Sequence, residues 1–375
     1  MEEASQRDRP AGTRLEDSAS HVPVQPLDAR LAEIARAFRA KPFRPHALLR
    51  GGHAQTLAAA LRVTRLKLLR EERGLYESRL VEVEPDARVL LKCRWQKERL
   101  KAPTLLLLHG LEGSSESLYV VGASQKAYRA GFNVVRMNMR NCGGTEHLTR
   151  TLYHSGMTGD IQRVLVEELA GRERLARVYV VGFSMSGNMV LKLAGDYGRD
   201  FPPALAGVAA VSPSVDIGAC ADAVGRRANV VYRLSFMRSL RRRVRSKHRL
   251  HPELFDTRGL WRVRNIRQFD ERYTAPHGGY AGAADYYERA SSLRVIPRIE
   301  VPTLIIHSAD DPLIPAAPFL DPSTAANPNV LLVVTRGGGH VGFIAAASER
   351  EDRRWAENRV VEFCRMLDER INVGG

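Results

Sequence analysis

Short, continuous apolar runs punctuate the chain at 89–91, 104–108, 133–137, 178–181, 207–211, 303–306 and 330–334. Runs of this length suit strands buried on both faces, which need no alternation with polar residues. Between them, 117–130, 158–169, 185–197 and 355–371 carry apolar residues at helical spacing. Strand-helix alternation of this kind predicts an α/β protein with a mostly parallel central sheet flanked by helices. The alternation breaks once. About 214–293 is polar, Arg-rich and helical in pattern, with no strand, and reads as an insertion over the carboxyl edge of the sheet, where ligands bind in open α/β folds. Residues 1–28 are rich in charge, Ser and Pro and are expected to be disordered, with a short amphipathic helix at 31–38. The predicted division is a polar extension and short helix over 1–40, then one domain over 41–375 carrying the cap insertion.

The strand at 178–181 runs directly into the helix at 185–197 through Gly182-Phe183-Ser184-Met185-Ser186-Gly187. A tight strand-to-helix turn with serine at its apex exposes the hydroxyl at a helix N-terminus, the context of a nucleophile elbow. The structural alternative is a helix-capping serine. Small residues two positions either side of the serine let strand and helix approach; Gly182 meets that need, and Ser186 stands where Gly is usual. A serine nucleophile needs a base, and the base an orienting carboxylate. After the run at 303–306 comes Asp310-Asp311-Pro312-Leu313-Ile314-Pro315. Either Asp could serve as the acid, and the Pro-Leu-Ile-Pro that follows favours Asp311. After the last run comes Gly337-Gly338-Gly339-His340, a loop free enough to carry His340 toward the serine. The order Ser, acid, His is the one this elbow context requires. The run at 104–108 ends in His109-Gly110-Leu111, whose loop is expected to supply one oxyanion N–H from Leu111, with Met185 supplying the second. His109 could instead be a packed core histidine.

These residues, with others, resemble the YheT-like family of α/β-hydrolases, which includes the animal abhydrolase-domain proteins one and three. The resemblance runs from about Pro42 to the C-terminus. Besides the segments above, it rests on Gly51-Gly52-His53-Ala54-Gln55-Thr56, Asn138-Met139-Arg140-Asn141-Cys142-Gly143-Gly144-Thr145, Tyr153-His154-Ser155-Gly156, Phe269-Asp270-Glu271 and Tyr286-Tyr287-Glu288-Arg289-Ala290-Ser291-Ser292. It implies the α/β-hydrolase fold, a Ser184-Asp311-His340 triad, and esterase chemistry on carboxylic esters, lipid or phospholipid acyl esters among them. No metal or organic cofactor is implied. An acyltransferase with the same triad and a non-catalytic binding protein on this fold are the alternatives.

Composition changes this picture little. The chain has 375 residues, 44% hydrophobic and 26% charged, enough for one large domain with an insertion or for two domains. Its net charge of +15 favours anionic partners, unless it reflects general heavy use of Arg. The densest basic run, 238–249, reads by default as a solvated helix face; the functional alternative is contact of a basic cap with an anionic membrane surface. Nucleic acid is not expected, because neither a recognition motif nor stacking aromatics accompany the run. The four cysteines lie too far apart for a zinc ribbon and suit a reducing compartment; Cys142 reads as a small buried residue or a reactive thiol. With no signal-peptide pattern near the start and no apolar run of spanning length, the expected location is the cytoplasm. His53, Gln55 and Thr56 read as an anchor for the N-terminal segment or a polar wall of the site. Arg140, Asn141, Thr145 and His154 read as scaffolding or substrate contacts.

Overall fold

The computed structural model describes residues 20–21, 25–60, 72, 74–349 and 351–373. Its strands are β1 (Ser20–His21), β2 (Glu77–Glu84), β3 (Ala87–Arg94), β4 (Thr104–Leu108), β5 (Asn133–Asn138), β6 (Val178–Phe183), β7 (Leu205–Val211), β8 (Thr303–Ser308) and β9 (Val330–Thr335). They form one sheet in the order β1-β9-β8-β7-β6-β4-β5-β3-β2. The strands β4 to β9 pair in parallel, β3 pairs antiparallel with β5 and β2, and β1 pairs antiparallel with β9.

The apolar runs are the strand interiors. Residues of β4, β5, β6, β8 and β9 are buried throughout, and period-two geometry divides them between two cores. Leu106, Leu108, Val180, Ile305 and Leu332 pack on one face. Leu105, Leu107, Val181, Leu304 and Leu331 pack on the other. Helices α1 (Ala29–Arg39), α2 (Gly52–Ala59), α3 (Leu118–Arg129), α4 (Gly159–Arg163) and α5 (Met185–Tyr197) follow in chain order. The first of them and α3 bury Leu31 and Val120 in the second core; α5 buries Val190 in the first. Past α4 the helix continues through wide π-turns over Val164–Arg172.

One expectation needs correction, and one strand was not anticipated. Within the stretch expected to be disordered, residues 1–19 and 22–24 lie outside the described residues. Ser20–His21, however, extends the sheet beside β9, and the Asp28 side chain caps α1 by accepting from the Arg30 and Leu31 N–H groups. Strand addition uses backbone groups, so a polar sequence can cover an otherwise open sheet edge. The strand β2 forms without an apolar run, because Glu77-Ser78-Arg79-Leu80-Val81-Glu82 is an edge sequence, largely exposed.

Between β7 and β8 the chain forms α6 (Ile217–Gly225), α7 (Val230–Leu250) and α8 (Ala283–Ala290), joined by short helical turns. Two small apolar clusters hold this stretch together, one around Met237, Val244, Phe255 and Phe269, the other around Ile217, Ala275, Tyr286 and Tyr287. The chain then completes the sheet and ends in α9 (Trp355–Val373), which packs beside α3. No helix among the described residues is long and apolar enough to cross a membrane.

At the N-terminus of α2, a Cβ on Gly52 would lie 1.9 Å from the Asp310 carbonyl oxygen, whereas one on the adjacent Gly51 would meet nothing within 4 Å. Overpacking against backbone costs roughly 1–3 kcal/mol or more. Gly52→Ala should therefore lower the thermal unfolding midpoint by several degrees, and Gly51→Ala should leave it nearly unchanged. Equal midpoints for the two variants would show that α2 is not held against the loop after β8.

Candidate active site

Ser184 stands between β6 and α5 with φ 57° and ψ −117°, a positive-φ conformation that costs a non-glycine residue energy. The surrounding contacts hold it there. Its N–H donates to the Val211 carbonyl (2.9 Å), and its carbonyl accepts from the Ser214 N–H (3.3 Å). A Cβ on Gly182 would lie 2.2 Å from the Ser186 carbonyl oxygen, so strand and helix meet closer than alanine permits. Ser186 is more than tolerated in the place of glycine. Its Oγ accepts from the Phe183 N–H (2.9 Å) and lies 2.9 Å from the Leu108 carbonyl, stitching the turn to the end of β4.

Asp311 and His340 arrive from the ends of β8 and β9. His340 Nδ1 lies 2.8 Å from Asp311 Oδ2, and Nε2 lies 2.9 Å from Ser184 Oγ. An ionised carboxylate only accepts, so Nδ1 carries the proton and donates to Asp311, which leaves Nε2 to accept from the serine hydroxyl. Asp311 also accepts from the Leu313 and Ile314 N–H groups (2.8 and 3.0 Å). Burial disfavours its charge, but His340 and these donors outweigh that and hold its carboxyl below the usual range. The neighbouring Asp310 points elsewhere: its Oδ1 accepts from the Gly339 N–H (2.9 Å), bracing the histidine loop. Of the three glycines before His340, Gly338 and Gly339 have positive φ, and a Cβ on Gly339 would lie 2.3 Å from the Gly52 carbonyl. Thr56 Oγ1 accepts from the His340 N–H (2.8 Å), and Gln55 exchanges hydrogen bonds with Ile344 and donates to Leu49. The α2 motif thus anchors the histidine loop. His53 instead stacks on Tyr232 of α7.

Leu111 and Met185 both line the cavity above Ser184. Met185 is the first residue of α5, where the N–H has no intrahelical acceptor. The Leu111 loop passes the serine closely, since a Cβ on Gly110 would lie 3.1 Å from that of Ser184. His109 is a packed core histidine: it is fully buried, its Nε2 accepts from the Met139 N–H (3.2 Å), and Nδ1 lies 2.8 Å from the Gly110 carbonyl. Glu112, next after Leu111, has φ 57° and is gripped from above. Arg243 of α7 donates to Glu112 Oε1 (2.6 Å) and to the Asn141 carbonyl, and Tyr153 donates to the same Glu112 oxygen (3.0 Å). This latch between α7 and the Leu111 loop has no local signal in the sequence, because Arg243 stands 131 residues from Glu112 and 102 from Asn141.

The cavity that opens beside Ser184 has a volume of about 110 Å³. Its walls are mainly apolar, with Leu152, Ile217, Phe236, Leu240, Phe269 and Ile314 among them. Asp270 also reaches it, accepting from Thr274 (2.6 Å) and Tyr287 (2.8 Å); burial pushes its carboxyl up to about 6. His154 lines the wall, whereas Arg140 is tied to Asp160 and Glu84, Asn141 to the Thr151 carbonyl and Thr145 to the Cys142 carbonyl. Cys142 is buried, and burial pushes its thiol up to about 12, which removes it as a reactive group. No cluster of three or more His, Cys, Asp or Glu that could hold a metal ion occurs among the described residues.

Comparison with known proteins agrees with this architecture. The family model of the alpha/beta hydrolase fold matches residues 103–347. The YheT protein of Escherichia coli is 34% identical over 266 residues, covering 70% of this chain and 76% of its own. A monoacylglycerol lipase of Saccharomyces cerevisiae is 30% identical, with 73% of this chain and 61% of its own covered. Phospholipase ABHD3 of Mus musculus is also 30% identical, over 66% of this chain and 60% of its own. This chain therefore spans less than two thirds of the length of those two lipases. Among solved structures, the Pyrococcus furiosus esterase Pf2001 superposes with a TM-score of 0.50 at 16% identity, covering 77% of this chain and 91% of its own, a likeness of fold.

Burial holds His109, His154 and His307 down to about 4, against an ordinary value of 6.5. Their neutral forms stabilise the fold fully above pH 6.5, and that stability is lost as pH falls toward 4, because the unfolded chain takes up protons that the native one refuses. Each contributes a slope of about 1.4 kcal/mol per pH unit in that window. Asp270, raised to about 6, works in the opposite sense and offsets part of it. Thermal unfolding midpoints should fall steadily as the pH is lowered from about 7 to about 4. His307 stacks on Phe319 with ring centres 3.9 Å apart, so His307→Phe should fold and show a shallower slope. An unchanged slope would mean that His307 does not stay neutral.

Proposed function

The chain belongs to the YheT-like branch of the α/β-hydrolase family and is a carboxylic ester hydrolase; from that premise we propose that Ser184, His340 and Asp311 are its catalytic triad and that lipid acyl esters are its substrates. The observation that carries the triad is one imidazole within hydrogen-bond distance of both Ser184 Oγ and Asp311 Oδ2. In the proposed reaction Ser184 Oγ attacks the ester carbonyl carbon while His340 Nε2 takes its proton. The Leu111 and Met185 N–H groups receive the negative charge on the carbonyl oxygen, and Asp311 stabilises the imidazolium. Collapse expels the alcohol, which leaves with the proton from His340, and an acyl-enzyme on Ser184 remains. Water, deprotonated by the same nitrogen, then releases the acid.

The apolar cavity beside Ser184 supports a lipid acyl chain as the part of the substrate that is held. The lipase names of the yeast and mouse relatives point the same way. The residues of the insertion at about 214–293 that wall the cavity make it the cap over the site in this reading.

The test is labelling by a fluorophosphonate probe, together with hydrolysis of p-nitrophenyl esters of graded chain length. Ser184→Ala should abolish labelling and lower turnover by about 10⁶. Asp311→Asn should cost about 10⁴. Asp310→Asn, which only loosens the histidine loop, should cost at most about 10². Labelling that persists in folded Ser184→Ala would overturn the triad. A kcat/KM that does not rise from acetate to octanoate would overturn the acyl-chain role of the cavity. Transfer to an added alcohol that outpaces hydrolysis would point to an acyltransferase.

A further inference from the structure

The helix α7 presents two unlike faces. Its inner face belongs to the site: Phe236, Leu240 and Arg243 line the cavity, and Met237 and Val244 are buried beneath it. The inward basic residues are all engaged. Arg241 donates to the Val263 carbonyl (2.6 Å), Arg243 to Glu112, and Lys247 to the Glu146 and Thr149 carbonyls. The outer face is different. Val231, Leu234, Arg238, Arg242, Arg245 and Arg249 are all exposed and follow one another at steps of three and four residues, so they form one stripe along the helix. Val231 is 63% and Leu234 64% exposed. The four arginines have no ion-pair partner among the described residues, and they span about 16 Å of helix. Elsewhere on the surface arginines such as Arg150, Arg267 and Arg289 sit against carboxylates.

Beside the apolar end of the stripe lie further aromatic and aliphatic side chains. Tyr232, next to Val231, stacks on His53 of α2, and Leu57, one turn further along α2, is half exposed. Phe236, two residues beyond Leu234, points to the opposite side of the helix and walls the cavity. We propose that this outer face of α7 docks the protein on an anionic phospholipid surface, with the arginine row against headgroup phosphates and Val231 and Leu234 at the boundary of the acyl region. Charge complementarity supplies the attraction, and each arginine close to such a surface adds to it. The apolar end gives the surface its second element, two aliphatic side chains placed to enter the acyl boundary. Nucleic acid would satisfy the arginines but leave the apolar end without a role. The proposal gains its purpose from the lipid-ester reading above, and it is tested separately from it.

The experiment is co-sedimentation of the full chain with vesicles of phosphatidylcholine containing phosphatidylglycerol, and with vesicles of phosphatidylcholine alone. Binding is expected on the anionic vesicles only and should weaken as salt rises. R238Q/R242Q/R245Q/R249Q should lower the affinity roughly 10²–10³-fold. V231S/L234S should lower it roughly tenfold with the charge unchanged. All these side chains lie outside the cavity walls, so both variants should keep their thermal midpoint and hydrolyse soluble p-nitrophenyl butyrate within about twofold of the parent. Absence of binding to anionic vesicles, or equal binding by the parent and the arginine variant, would overturn the proposal. So would binding to a DNA duplex without binding to vesicles, lost in the arginine variant and kept in V231S/L234S, which would assign the row to nucleic acid. Vesicle binding without hydrolysis of any ester would instead count against the triad and leave the docking face standing.

Discussion

The imidazole of His340 can sit between Ser184 and Asp311 only because backbone segments from distant parts of the chain approach more closely than side chains would allow. Gly52 lies against the Asp310 carbonyl, and Gly339 lies against the Gly52 carbonyl. Three pieces of chain are thereby pinned together: the start of α2, the loop after β8 and the loop after β9. Hydrogen bonds then fix the loop that carries the histidine, from the Gly339 N–H to Asp310 and from the His340 N–H to Thr56. The adjacent aspartates divide the work, one holding the ring and the other holding its loop.

On the opposite side of the site, the constraint is a buried ion pair. Glu112 in a left-handed conformation would be unfavourable by itself, and its carboxylate is nearly excluded from water. Arg243 and Tyr153 supply the partners that make this arrangement stable. A buried charge whose partner is removed is costly, so the pair gives a defined register between α7 and the loop bearing Leu111. The same helix then uses alternate faces for separate purposes. Residues facing inward wall the cavity or clasp carbonyls, and the exposed arginines are left free of carboxylates among the described residues.

Much of the site could be read in the sequence because its signals are local. Gly182 before the serine, the Asp-Asp-Pro after one apolar run and the triple glycine before His340 are each the chemistry of a turn, written in a few consecutive residues. Parallel connections place every such turn at the carboxyl end of a strand, and the three turns therefore share one edge of the sheet. Legibility ends where side chains carry less information. β1 and β2 are edge strands whose pairing rests on backbone groups, so their polar sequences hold no apolar run. Ser186 departs from the glycine usual in the elbow, but its hydroxyl finds acceptors and a donor that belong to β4 and β6.

The sequence by itself determined the α/β alternation, the turn chemistry at Ser184, Asp311 and His340, and their order along the chain, because hydrophobic period and glycine placement act over a few residues. Tertiary structure alone decided that Asp310 braces the histidine loop, that His109 is a core residue, that Arg243 reaches Glu112, and which arginines of the 238–249 run face outward. Those outcomes depend on where side chains from segments tens to hundreds of residues apart meet and on which groups they bury. No local pattern encodes such distances.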